Sequence, residues 1–297
     1  MLAPHRLLAL LGMIALLVAG CGSSSSSQVV VAPTTAVAVP ATSPAPSVLP
    51  SFTAATSAPP SPTIVGPHLT YVALGDSLLY ALEDDCNSCT SAAVTYAKQI
   101  EADLGLTVEL HNLTMHNGLN SAGLLGYLKN GAKIGRLPED VLKAVVAADI
   151  VSVTIGFNDS TLADKDDLPR FLKAYEVNLD GILDRIDALR AGKPTAVRVT
   201  EIYNNGIAEK PEYDPDGPGT GVNGWKPIVE AQNKVICAVA ARHHARCVDI
   251  YHPFNGKDGL ASPAAKGFLG PDGTHPSQTG MDVIAKALAA TGYAPIH

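Results

Sequence analysis

Five short apolar runs lie between residues 69 and 250, and segments of helical periodicity separate them. That alternation constrains the fold more than any other feature of the chain. Leu69–Leu74 and Ile150–Ile155 read as buried strands, Ala196–Ile202 as a strand and Cys247–Ile250 as a short one, and Thr107–Leu113 alternates like a strand. Ser91–Leu104 carries Ala92, Tyr96, Ile100 and Leu104 at helical spacing. Ser121–Leu128, Pro138–Ala147, Leu168–Leu189, Lys226–Ala241 and Ser277–Ala290 also read as helices, with Pro138 at a first turn and Ser277 as an N-cap. Strands joined through helices imply crossovers, a parallel sheet and an α/β sandwich over residues 69–297. In such sheets ligands bind beyond the carboxyl ends of the strands, so function is to be read there.

Four polar blocks stand at or near those ends. Gly75-Asp76-Ser77 follows the first strand, and Asn117-Gly118 lies in the loop after the second. Gly156-Phe157-Asn158-Asp159 follows the third, and Asp272-Gly273-Thr274-His275-Pro276 precedes the last helix. Together they hold the parts of a hydrolase. Ser77 at a strand tip can expose its hydroxyl as a nucleophile, and His275 can take its proton. Asp272, three residues earlier, can reach the far imidazole nitrogen through one tight turn and fix its tautomer. The backbone N–H of Ser77, the backbone N–H of Gly118 and the side-chain amide of Asn158 can serve as an oxyanion hole. Asp76 reads as structural, and His111 and His116 read as loop histidines.

Gly-Asp-Ser near the domain start, a glycine in a polar loop, Gly-x-Asn-Asp, and Asp-x-x-His-Pro near the C-terminus resemble the four blocks of the SGNH/GDSL hydrolase family. The resemblance covers Tyr71–Ala290. It implies a flavodoxin-like three-layer α/β/α fold and ester hydrolysis through an acyl-serine, with no cofactor or metal. It also implies Ser77, Asp272 and His275 as the triad, with Gly118 and Asn158 completing the oxyanion hole. The family has a small residue soon after Gly-Asp-Ser. Leu78-Leu79-Tyr80 stand there in this chain, a departure that bears on pocket shape. Gly-x-Ser-x-Gly, His-Glu-x-x-His and the phosphate-binding glycine loop are absent from the sequence. The rival reading is a catalytically inactive envelope-binding lipoprotein on the same fold.

Residues 1–68 contain a single charged side chain, Arg6. Met1–Arg6, the apolar Leu7–Val18 and the small residues before Cys21 describe an export signal over residues 1–20. Val18-Ala19-Gly20-Cys21 resembles the lipobox of bacterial lipoproteins, which implies that Cys21 carries the lipid. The expected location is the outer face of the bacterial cytoplasmic membrane. Of the 47 residues from Gly22 to His68, 9 are Pro and 16 are Ser or Thr, so this stretch reads as a spacer without a core.

Four cysteines remain, an even number that suits an oxidising compartment. Of three pairings, proximity favours Cys86–Cys89 and Cys237–Cys247. A redox Cys-x-x-Cys and a zinc site, built from both pairs or from Cys247 with His243 and His244, are the alternatives. The balance of 21 Lys+Arg against 28 Asp+Glu, a net charge of −7, argues against a nucleic-acid partner. The segment from Tyr203 to Trp225 is long for a connection and rich in Gly and Pro. It is expected to cover the site, with Tyr203, Asn204 and Trp225 facing substrate. Its acids, and Glu83-Asp84-Asp85, should disfavour anionic substrates, which leaves short neutral acyl esters on a sugar or small alcohol.

Overall fold

A computed structural model describes residues 68–81, 86, 88–116, 118–131, 140–161, 163, 167–206 and 222–297. The signal, Cys21, the spacer, Glu83-Asp84-Asp85, Asn117, Pro138 and the glycine-rich part of the long loop (residues 207–221) lie outside them. No helix among the described residues is long and apolar enough to cross a membrane.

Strands β1 (His68–Gly75), β2 (Thr107–Thr114), β3 (Ile150–Thr154), β4 (Ala196–Thr200) and β5 (Arg246–Val248) form one sheet in the order β2-β1-β3-β4-β5. Every pairing is parallel. The helices are α1 (Ala92–Leu104), α2 (Ser121–Asn130), α3 (Val141–Ala147), α4 (Phe157–Thr161), α5 (Leu168–Arg190), α6 (Val222–Arg242), α7 (Tyr251–Asn255) and α8 (Gln278–Ala290). The chain steps from β1 out to β2 and then back past β1 to β3, β4 and β5. Right-handed crossovers therefore place α1 on one face and α2, α3, α5 and α6 on the other. In agreement, α1 packs on α8, while α5 packs on α2, α3 and α6. This is the flavodoxin-like order, whose ligand crevice lies where the strand order reverses, between β1 and β3.

The central strands are apolar because both of their faces are covered. Tyr71, Val72, Ala73, Leu74, Ile150, Val151 and Val153 are all solvent-free. The face toward α1 and α8 also holds polar groups, and each finds a partner. Tyr71 and Ser152 share a hydrogen bond of 2.8 Å, and Thr200 donates to Thr154 at 3.0 Å. Arg198, 1% exposed on β4, donates to Thr291 Oγ1 and to the carbonyls of Gly292 and Ala294. The chain that follows α8 is thus tied into the sheet.

Both disulfides form, Cys86–Cys89 and Cys237–Cys247, the second joining α6 to β5. The cysteines are therefore not thiolates for the zinc alternative, and the His243 ring meets Asp180 and Asp187 instead. The last strand is shorter than its apolar run. Asp249 and Ile250 leave the sheet, and Tyr251 opens a short helix that the sequence did not announce.

Candidate active site

β1 ends on Gly75, and this position admits no side chain. A Cβ there would lie 2.0 Å from the Thr154 carbonyl oxygen of β3, and φ is +148°. The close passage lets Asp76 N–H donate to that same carbonyl at 3.0 Å. Ser77 is then delivered at the first position of a 3-10 turn (Ser77–Leu79), which Asp76 caps by accepting from Leu78 N–H. Ser77 is 8% exposed. Asp76 is solvent-free, and its Oδ2 has no hydrogen-bond partner among the described residues. Burial pushes its carboxyl up to about 7, and the nearby Asp159 adds to the rise. A carboxyl raised in this way carries less negative charge beside Ser77 near neutral pH than an ordinary aspartate would.

Gly118 sits at φ +71° with open space on its Cβ side, so backbone conformation rather than crowding calls for glycine there. The segment after it is held at two points by consecutive residues of α4. Asn158 Nδ2 donates to the Leu119 carbonyl at 2.9 Å. Asp159 accepts from Ser121 N–H at 2.9 Å and from Ser121 Oγ at 2.5 Å, at the first residue of α2, where a carboxylate also meets the helix dipole favourably. Asn178 of α5 donates to the same Ser121 hydroxyl. Asn158 has a second amide hydrogen, and the bond to Leu119 fixes the plane in which it points.

The histidine block is organised by Asp272. Its Oδ1 accepts from Thr274 N–H and His275 N–H, both at 3.0 Å, and its Oδ2 lies 2.5 Å from His275 Nδ1. Burial alone would raise this carboxyl, but those three hydrogen bonds hold it below the usual range, so it is ionised. Nδ1 therefore carries the hydrogen and Nε2 is left as the acceptor. The His275 side chain is 16% exposed.

Tyr203 links the blocks. It is buried completely, stacks on Phe254 at 4.2 Å between ring centroids, and donates to the Thr274 carbonyl at 2.7 Å. Burial raises its hydroxyl pKa, the charges of Asp76 and Asp272 add to the rise, and its ring also lies 6.2 Å from that of Phe157 in the third block. This corrects the expectation that Tyr203 faces substrate, because an aromatic side chain after a central strand is drawn into the core. Asn204 is corrected likewise. It is 2% exposed, and its backbone exchanges two hydrogen bonds with the Asn255 side chain. Trp225 is half-buried in the first turns of α6. His116 lies nearer the site than a loop histidine need. Met115 N–H donates to Gly75 O, and the His116 ring lies 5.0 Å from that of His275.

The structure thus gathers the four sequence blocks on the carboxyl edge of β1 and β3. What the sequence did not reveal is the scaffolding: Tyr203 on Thr274, Asp159 on Ser121, and His116 on His275. Only the Gly-x-Asn-Asp spacing hinted at any of it.

The sequence matches the GDSL-like Lipase/Acylhydrolase family over residues 73–283. No curated protein matches it. Among solved structures, a lipase from a goat rumen metagenome shares 23% identity at a TM-score of 0.55, over 77% of this chain and 100% of that one. The lipase/acylhydrolase of Enterococcus faecalis shares 20% identity at 0.51, over 76% and 95%. An acetylxylan esterase of Geobacillus stearothermophilus shares 19% at 0.53, over 77% and 96%. At these identities the likeness is one of fold.

Proposed function

Since the chain belongs to the GDSL-like lipase/acylhydrolase family and is an ester hydrolase, we propose that it is a lipid-anchored serine esterase of a bacterial cell envelope, acting on short neutral acyl esters of a sugar or small alcohol. The observation that carries the mechanism is the Asp272–His275 contact, which leaves Nε2 as the base. Ser77 Oγ attacks the ester carbonyl while His275 Nε2 takes its proton. The oxyanion is received by the N–H groups of Ser77 and Gly118 and by the second amide hydrogen of Asn158. His275 returns the proton to the alcohol as it leaves, and water then hydrolyses the acyl-serine by the same route. In the Geobacillus esterase, catalytic mutants have alanine in place of a serine or of a histidine, the same two residue types.

The envelope location rests on the sequence before Cys21, and two disulfides suit an oxidising compartment. The preference for neutral esters rests on the acidic residues flanking the site in the sequence and on the net charge of −7. A fluorophosphonate probe tests the mechanism. Wild type should be labelled on Ser77 and Ser77→Ala should not; a folded wild type that resists labelling overturns the esterase reading. A panel of esters varied in acyl length, with Ser77→Ala as blank, tests the substrate class, and strong turnover of anionic phospholipid overturns it.

A further inference from the structure

Beside His275 stands a row of aromatic rings that the mechanism above does not use. The His116 ring lies 5.0 Å from His275 and is turned 40° from it; the Tyr80 ring lies 5.8 Å from His116 and is turned 44° from that ring. Tyr80 belongs to the turn that delivers Ser77, since its N–H donates to the Ser77 carbonyl at 3.1 Å. Four large hydrophobic side chains are exposed among the described residues, and Tyr80, 40% exposed, is the one aromatic. The next residue, Ala81, has φ +60°, a left-handed conformation that costs a residue with a Cβ about 1 kcal/mol or more. Local strain of this kind persists where the surroundings impose it, often at ligand sites.

Position gives the row a meaning. His275 Nδ1 is engaged by Asp272, so Nε2 is the atom that hands its proton to the departing oxygen. In that step the bond between the former carbonyl carbon and the alcohol oxygen breaks. The electron pair goes to the oxygen, the proton moves from His275 Nε2 to it, and the acyl group stays on Ser77. The group carried by that oxygen must therefore lie next to the His275 ring, and the His116 ring stands 5.0 Å from that ring with Tyr80 on from His116.

Resting on the esterase reading, we propose that Tyr80 and His116 form an alcohol-side subsite that holds a six-membered ring, a pyranose, by stacking. A pyranose offers one flat face of C–H groups to the Tyr80 ring and hydroxyls to solvent and to the His116 edge. A linear alcohol covers neither ring. This also accounts for Leu78-Leu79-Tyr80 standing where the family has a small residue. Leu78 and Leu79 are solvent-free and anchor the turn, and Tyr80 is left projecting.

The test compares acetyl esters that differ only in the alcohol: a monoacetylated methyl pyranoside, phenyl acetate and ethyl acetate. Full-length wild type, Tyr80→Ala, Tyr80→Phe and His116→Ala are assayed, each first shown to be labelled by fluorophosphonate. In Tyr80→Ala the ratio of kcat/KM for the pyranoside to that for ethyl acetate should fall about 10-fold, and Tyr80→Phe should retain it. The loss should appear in acylation and not in breakdown of the acetyl-enzyme, because the alcohol has left by then. His116→Ala should lower the same ratio. A ratio unchanged in Tyr80→Ala, with labelling intact, overturns the subsite. A fall for phenyl acetate alone overturns the pyranose assignment. Wild type that fails to label fails the esterase reading itself, before any ester is compared.

Discussion

The Tyr203 hydroxyl donates to the Thr274 carbonyl across 2.7 Å, one residue before His275. The proposed base is therefore placed by a side chain of the hydrophobic core as well as by its own loop. Tyr203→Phe keeps the ring stack on Phe254 and removes only this bond. We expect kcat to fall about 3–10-fold, with about 1 kcal/mol lost in stability. Steady-state kinetics and thermal unfolding check it; an unchanged kcat would mean that Asp272 alone positions the histidine.

Asn158→Ala removes the proposed oxyanion donor and also frees the Leu119 carbonyl. The expected drop in kcat is about 10²–10³-fold, with a smaller change in KM, because the donor acts mainly as charge develops. An effect confined to KM would make Asn158 a substrate contact instead.

Asp76 links stability to pH. Burial raises its carboxyl from the ordinary aspartate range to about 7, so the folded state binds the proton more tightly than the unfolded state. Its contribution is complete below the unfolded pKa and is lost as pH rises toward 7. Asp76→Asn has no proton to lose. Between pH 5 and pH 7 wild type should lose about 2 kcal/mol relative to the variant, read from denaturant unfolding. Parallel pH profiles would show that Asp76 does not titrate in that window.

Cys21→Ala should leave unprocessed precursor or release the domain from membranes, while the activity of the domain is retained. Fractionation and mass measurement decide it, and a processed form that stays membrane-bound removes the lipid anchor from the account.

The layers of this molecule were legible in the sequence to different depths. The strands were clear because β1, β3 and β4 are covered on both faces and are therefore mostly apolar, with a few polar side chains that find partners inside, and a short run of that kind between turn residues suits little else. Ser77, Gly118, Asn158, Asp272 and His275 could be proposed from the sequence because ester hydrolysis needs particular residue types next to strand ends. The short helices α4 and α7 were not, since five residues carry too little periodicity to register. Tyr203 misled for a physical reason: a tyrosine after a strand can face solvent or core, and composition does not choose between them. Tyr80 and His116 lie 36 residues apart in the sequence, so only the folded chain shows that their rings meet.

Arg198 decides where this polypeptide can be cut. Its buried guanidinium pairs with no carboxylate among the described residues; besides the carbonyl of its neighbour Val197 it relies on Thr291 and on the carbonyls of Gly292 and Ala294, residues that look like a dispensable tail. A chain ended after α8 would strand a cation inside the protein, and removing the partners of a buried charge costs several kcal/mol. Loss of residues 291–297 is therefore expected to destabilise the sheet itself. The segment after α8 is part of what holds the sheet's charged interior together, not a trailing end.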